Sequence, residues 1–190
     1  EPFLLYVPFN APHYPMHAPE KYMTRFAHLP WDRQVMAAML SAVDDAAGLI
    51  MSEVVKLGLS ENTCTFFTSD NGPSRESRNW LDGNQDDYYG GSAGGLKGHK
   101  FSLYEGGIRV PGIVNWPTEI SPGQILDIPC ASMDIFPTCL EAAGGDASSF
   151  ELDGQSLLPI AARSEQHPER TICWEMEGQN AVRKGKWKLV

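Results

Sequence analysis

The 190 residues carry 15 Lys+Arg against 24 Asp+Glu, a net charge of −9, so the chain repels phosphate backbones at long range and offers no electrostatic footprint for nucleic acid. With 42% hydrophobic and 21% charged residues, it reads as neither disordered nor membrane-like and is long enough to bury one real core. No uninterrupted apolar run approaches the ~20 residues of a spanning helix, so no membrane partner is expected.

Residues 3–9 form a short apolar and aromatic run closed by Asn10, Ala11 and Pro12, the pattern of a buried strand leading into a loop. From residue 31 to 57, Met36, Leu40, Val43, Ala47, Ile50, Val54 and Leu57 recur at steps of three and four. That spacing predicts one face of a long helix, with Asp32 as its cap and Gly58 as its stop. Residues 63–69 are β-branched and aromatic and predict a central strand ending at Asp70-Asn71-Gly72-Pro73. The stretch from 73 to 100 is polar and glycine-rich, longer than a compact domain normally spends on a plain connection. A third strand is expected over about 108–116 and a helix over 132–143, with Pro137 in its first turns. Residues 154–168 read as irregular, and 171–175, 180–183 and 187–190 as short strands.

The alternation of strand, helix and strand predicts an α/β layer with parallel pairing, in which ligands sit beyond the carboxyl ends of the strands. The N-terminal residues lack the positive region of a signal peptide and read as if inside a strand, and the last strand runs to the final residue without a cap. Both ends are therefore expected to be internal to a longer protein. Cys64, Cys130, Cys139 and Cys173 fit no CxxC spacing and are too sparse for a disulfide scaffold. They leave the compartment undecided; the overall lean is toward an exported protein.

Three places could carry chemistry. Asp70 and Asn71 are adjacent oxygen donors of the kind that bind hard cations such as Ca²⁺ or Mg²⁺, yet Asp-Asn-Gly alone more often marks a simple turn. His13 is bracketed by Pro12 and Pro15, which would hold its imidazole in one direction, although a lone loop histidine is more often just exposed; His17 reads as surface. Lys100 offers a fixed positive charge suited to sulfate or phosphate oxygens. No Gly-Lys-Ser/Thr follows the glycines, so no ATP-type phosphate loop is expected. Lys97, His99 and Arg109 read as solvated or paired with Glu105.

Taken in order, Ala11-Pro12-His13-x-Pro15, then Ser69-Asp70-Asn71-Gly72, then Lys97-Gly98-His99-Lys100 running to Tyr104-Glu105-Gly106-Gly107-Ile108-Arg109-Val110-Pro111 resemble the second half of the type I sulfatases of the alkaline-phosphatase superfamily. The ending, Ala181-Val182-Arg183-x-Gly185-x-Trp187-Lys188-Leu189, resembles the passage into that family's small C-terminal subdomain. The resemblance implies a partial alkaline-phosphatase-like sheet flanked by helices. Residues 1–170 would belong to the large α/β domain and 171–190 would open the small one. It implies that Asp70 and Asn71 are ligands of a divalent metal, most often calcium. His13 would contact the sulfate-ester oxygen and help the alcohol leave, and Lys100 would neutralise a non-bridging sulfate oxygen.

The family's nucleophile, a formylglycine made from the cysteine of Cys-x-Pro-Ser-Arg, has no counterpart among these residues. Pro73-Ser74-Arg75 does not qualify, because Asn71 stands where the cysteine would be. The expectation is thus a fragment of a sulfate-monoester hydrolase with little turnover of its own, the nucleophile and the rest of the metal site lying N-terminal to it. Its partner would be a sulfated small molecule or sugar, recognised in part by residues 80–89, and a half-sheet would invite self-association. Two alternatives stand beside this reading: a phosphate or phosphonate ester hydrolase of the same superfamily, and a non-catalytic α/β module that uses the 73–100 loop for protein contacts.

Overall fold

In the computed structural model, which describes residues 2–76, 89–162 and 169–190, the chain forms five α-helices and five strands among those residues. The helices are α1 (Glu20–Met23), α2 (Trp31–Lys56), α3 (Glu105–Ile108), α4 (Ile135–Ala142) and α5 (Leu158–Ala161). The strands are β1 (Thr65–Thr68), β2 (Gly112–Asn115), β3 (Thr171–Met176), β4 (Gln179–Lys184) and β5 (Trp187–Leu189). Of the loop expected to recognise the leaving group, only Tyr89 lies within the described residues.

The long helix forms where periodicity placed it, and it ends at Gly58, whose φ of +71° is left-handed. There the Gly58 amide donates to the Val55 carbonyl and the Leu59 amide to the Val54 carbonyl, at 2.9 and 3.0 Å, the paired closure that a C-terminal glycine permits. Its start differs from expectation. Pro30 occupies the N-cap and no side chain caps the helix. The Asp32 carboxylate instead accepts the Tyr89 amide at 3.2 Å, and the neighbouring Arg33 donates to the Gly90 carbonyl. Both tie the return of the long loop to α2.

The buried face of α2 is also turned relative to the expected stripe. Val35, Ala38, Met39 and Val43 are its buried residues, whereas Leu40 and Leu57 are 49% and 64% exposed. The reason is local: Val35 and Met39 close on Met16, with Ala11, Ala18, Met23, Trp31 and Met36 packed around them. The loop after residue 10 and the N-terminal half of α2 thus share one small core. Tyr22 reinforces it by donating to Asp45 at 2.8 Å, and Gln34 donates to the Met23 carbonyl at 3.0 Å. By length and composition α2 is long and apolar enough to cross a bilayer, although charged residues break it into shorter apolar runs.

Two expectations fail in the sheets. Residues 3–9 form no strand, and Leu4 and Tyr6 stand 82% and 83% exposed; an apolar run becomes a strand only where a neighbour completes its hydrogen bonds. Parallel pairing fails too, since β1 and β2 are antiparallel, with Thr65 opposite Asn115 and Thr68 opposite Gly112. A parallel pair needs a crossover of a dozen or more residues, usually helical, to bring the chain back in the same direction. Here β1 and β2 are joined by a loop whose described part contains only the single turn α3. The last three strands form a separate antiparallel sheet in the order β3-β4-β5. The helix expected over 132–143 splits into a 3-10 turn, Ser132–Asp134, followed by α4, and α5 falls in the region read as irregular.

Candidate active site

His13 sits in a turn closed by its own amide donating to the Asn10 carbonyl at 2.9 Å. That turn lies directly beside the Met16–Val35–Met39 core and contains two cis X-Pro bonds, Ala11-Pro12 and Tyr14-Pro15. The imidazole Nδ1 meets the Tyr14 carbonyl at 2.9 Å, and Nε2 meets the Lys100 ammonium at 3.2 Å, across 87 residues of sequence. A carbonyl only accepts and an ammonium only donates. Nδ1 therefore carries the proton and Nε2 presents its lone pair to Lys100.

Lys100 is partly buried, its side chain 16% exposed, and faces Glu76 Oε1 at 3.7 Å. Its backbone amide donates to the Pro73 carbonyl at 2.9 Å, and the Gly72 amide donates to the Gly107 carbonyl at 2.8 Å. These bonds lace the loop after β1 onto the two segments that flank Lys100. The close approach explains the glycines. A Cβ at Gly72 would overlap the Gly106 carbonyl, one at Gly106 would overlap the Gly98 carbonyl, and one at Gly107 would overlap the Ser102 and His99 carbonyls. Gly107→Ala is accordingly expected to lower the urea midpoint, the overpacking costing about 1–3 kcal/mol of stability. Gly112→Ala, whose Cβ would meet nothing within 4 Å, serves as its control and should leave the midpoint close to wild type.

Asp70 and Asn71 lie just beyond the end of β1. Asp70 Oδ1 accepts the Asn71 amide at 3.0 Å and the Ser69 hydroxyl at 3.5 Å, and the Ser69 hydroxyl also reaches the Asn71 carbonyl at 3.1 Å. Among the described residues neither side chain hydrogen-bonds to His13 or Lys100; the link between the two pairs is the backbone lacing through Gly72 and Pro73. An exposed carboxylate next to an amide suits a hard divalent cation in donor type. It is not a complete site, for among the described residues no three His, Cys, Asp or Glu side chains cluster as a metal centre.

The surrounding charges sort themselves in ways composition does not show. Glu105 bonds Lys188 at 2.8 Å and Arg183 at 3.3 Å, with Arg109 at 3.9 Å. Burial works to raise its carboxyl, but the Lys188 hydrogen bond and the charges of Lys188, Arg183 and Arg109 outweigh it and hold the group below the usual carboxylate range. Lys97 does not join them and lies over the Tyr104 ring at 3.9 Å, while His99 Nδ1 contacts the Lys100 carbonyl at 2.7 Å. Cys64, Cys130 and Cys139 are not activated as substitute nucleophiles. Burial, aided by Cys139, pushes Cys64 up to about 11, and burial pushes Cys130 and Cys139 up as well, whereas reactive thiols are depressed. All four cysteines are unbridged.

Glu76 is the member of this constellation that sequence reasoning misses. A single glutamate in a polar loop carries no periodic or motif signal, and only its proximity to Lys100 marks it.

The chain belongs to the sulfatase family, whose model matches residues 1–145. Steryl-sulfatase of Rattus norvegicus is 36% identical over 91% of this chain and 29% of its own length, and arylsulfatase A of Homo sapiens is 33% identical over 98% and 35%. The chain thus spans about a third of the length of these relatives. Among solved structures, that of Ps i-CgsB superposes with a TM-score of 0.79 at 29% identity, covering 95% of this chain and 39% of that one. The PsFucS1 sulfatase from Pseudoalteromonas sp. gives 0.75 at 28%, covering 95% and 34%. The architecture is accordingly part of the alkaline-phosphatase-like sulfatase fold.

Proposed function

We propose that these residues supply the sulfate-gripping and leaving-group side of a sulfate-monoester hydrolase. The observation that carries this reading is the 3.2 Å convergence of His13 Nε2 and Lys100 Nζ, with the Lys100 backbone bonded to Pro73 in the loop that follows Asp70 and Asn71. On this reading residues 1–170 belong to the large α/β domain and 171–190 open the small C-terminal one. The Lys100 ammonium neutralises a non-bridging sulfate oxygen, a fixed charge acting where negative charge builds up. His13 moves a proton to the alcohol oxygen as the S–O bond to it breaks. Because Nδ1 is committed to the Tyr14 carbonyl, the donated proton leaves from Nε2 of a doubly protonated imidazolium, a state in which the Nε2 contact with the Lys100 ammonium gives way to the ester oxygens lying between the two groups. Asp70 and Asn71 would hold a divalent cation, calcium in this reading, whose charge would polarise the sulfate. The formylglycine nucleophile would come from outside these residues, since no Cys-x-Pro-Ser-Arg occurs among them.

Two kinds of neighbour support a sulfate ester as substrate: relatives named steryl-sulfatase and arylsulfatase A, and a Ps i-CgsB structure solved in complex with k-i-k-neocarrahexaose. The substrate proposed here is therefore a sulfated small molecule or sugar.

The test is an assay of the full-length protein carrying these residues, with calcium, on 4-nitrophenyl sulfate and 4-nitrophenyl phosphate. Turnover of the sulfate should exceed that of the phosphate by at least about tenfold, or ~1.4 kcal/mol of discrimination; the reverse preference would make the protein a phosphoryl hydrolase. The isolated 190 residues should show no turnover of either ester, and an aryl sulfate rate matching the full-length protein would refute the assignment of the nucleophile elsewhere.

A further inference from the structure

We propose that Gln179 is a positioning residue for Lys100, an inference that rests on the sulfate reading above. Gln179 opens β4 directly after the tight turn at Glu177 and Gly178, both at positive φ (49° and 79°). From there its carboxamide reaches 78 residues back along the chain. Nε2 donates to the Phe101 carbonyl at 2.9 Å, and Oε1 accepts the Leu103 amide at 3.3 Å. One partner only accepts and the other only donates, so the orientation of the carboxamide is fixed by its surroundings.

The bonded segment is the one that sets the direction of Lys100. Phe101, the next residue, has a φ of +68°, a left-handed conformation that crowds the Cβ of a bulky L-residue against its own backbone. Such a conformation persists only where the surroundings over-determine it. Here the surroundings are the Gln179 carboxamide on one side of Phe101 and the Pro73 carbonyl holding the Lys100 amide on the other. Leu103, the second contact of Gln179, is 3% exposed and anchors the far end of the turn. The hairpin that carries Gln179 is itself pinned, because Arg183 of β4 and Lys188 of β5 both bond Glu105. The C-terminal sheet therefore holds the turn from which the ammonium projects, without touching the sulfate.

The deciding experiment is a double-mutant cycle in the full-length protein on 4-nitrophenyl sulfate, with kcat and KM read separately. Gln179→Met keeps the length of the side chain and removes both hydrogen bonds. It is expected to lower kcat about 10- to 100-fold, the scale of a small misplacement of a catalytic group, and to change KM less. In a Lys100→Ala background the same change should cost no further activity, because Gln179 acts only through the lysine. Gln179→Glu retains the acceptor for Leu103 but sets a carboxylate oxygen against the Phe101 carbonyl, so its rate should also fall below wild type. An equal proportional loss in both backgrounds, or wild-type kcat in Gln179→Met, would overturn the inference. Wild-type turnover in Lys100→Ala alone would instead overturn the sulfate reading. Amide hydrogen exchange on the full-length protein separates the two failures. Exchange at Leu103 should accelerate in Gln179→Met at unchanged global stability, and unaltered exchange there would refute the proposed contact whatever the activity shows.

Discussion

Lys100→Ala in the full-length protein is expected to reduce kcat for aryl sulfate hydrolysis by about 10²- to 10³-fold, the range typical of removing one pre-placed charge-stabilising group. The size of the effect follows from how the ammonium is held. It is 16% exposed, faces Glu76 at 3.7 Å and His13 at 3.2 Å, and projects from a turn fixed on both flanks by hydrogen bonds to the Pro73 carbonyl and the Gln179 carboxamide. A positive charge in place before the reaction needs no reorganisation as sulfate oxygens gain charge. Lys100→Arg should recover only part of the loss, because a planar guanidinium on a longer stem cannot occupy the point position beside the imidazole. Steady-state kinetics at saturating substrate checks this. A Lys100→Ala enzyme within threefold of wild-type kcat would remove the lysine from the chemistry.

The parts of this structure that were legible in the sequence are those whose signal is periodic or punctuated. Helix α2, strands β1 and β2 and the three C-terminal strands fall where apolar spacing, β-branching and glycine turns place them. What could not be read depends on partners far away in the chain. The run 3–9 has the composition of a strand but no ladder among the described residues. The strand–helix–strand pattern points to parallel pairing only if the connection crosses over, and the loop between β1 and β2 reverses direction instead. The same division applies to the site. His13, Lys100, Asp70 and Asn71 stood out because they lie in ordered motifs, and the structure brings the first two into contact. Glu76 and Gln179 did not, because a glutamate in a polar loop and a glutamine at a strand start look like any other. Gly106 and Gly107 were visible as a pair, but the reason for them, backbone packed against backbone at residues 97–102, is three-dimensional.

Asp134→Ala is expected to be the most destabilising single change away from the site. Asp134 is fully buried, and its carboxylate joins three separated segments. Oδ1 accepts the Gln155 amide at 2.9 Å and Arg170 Nη1 at 2.6 Å; Oδ2 accepts the Ala131 amide at 2.7 Å and Arg170 Nη2. Its backbone carbonyl accepts the Thr138 hydroxyl at 2.6 Å, and that hydroxyl in turn accepts the Leu157 amide at 2.9 Å. Truncating the carboxylate strands the Arg170 guanidinium, 11% exposed, without a counter-charge, and leaves two backbone amides unpaired. Breaking a buried pair from one side costs about 3–5 kcal/mol, a large share of the roughly 5–15 kcal/mol that holds a domain together. Asp134→Asn keeps the volume but not the charge and should cost less.

The carboxyl also gives this prediction a pH signature. Burial alone would raise it, but the Arg170 hydrogen bonds, the Ala131 and Gln155 amides and the Arg170 charge together lower it from its ordinary value. A carboxyl depressed in the folded state contributes stability that is complete above the unfolded value, near ~4, and is lost as pH falls through the folded one. The difference in urea midpoint between wild type and Asp134→Asn should therefore be constant from neutral pH down to about 5 and shrink below about 4. A difference that stays constant across that range, or widens toward acid, would show that the charge of Asp134 does not stabilise the fold, and that its hydrogen bonds alone join the three segments.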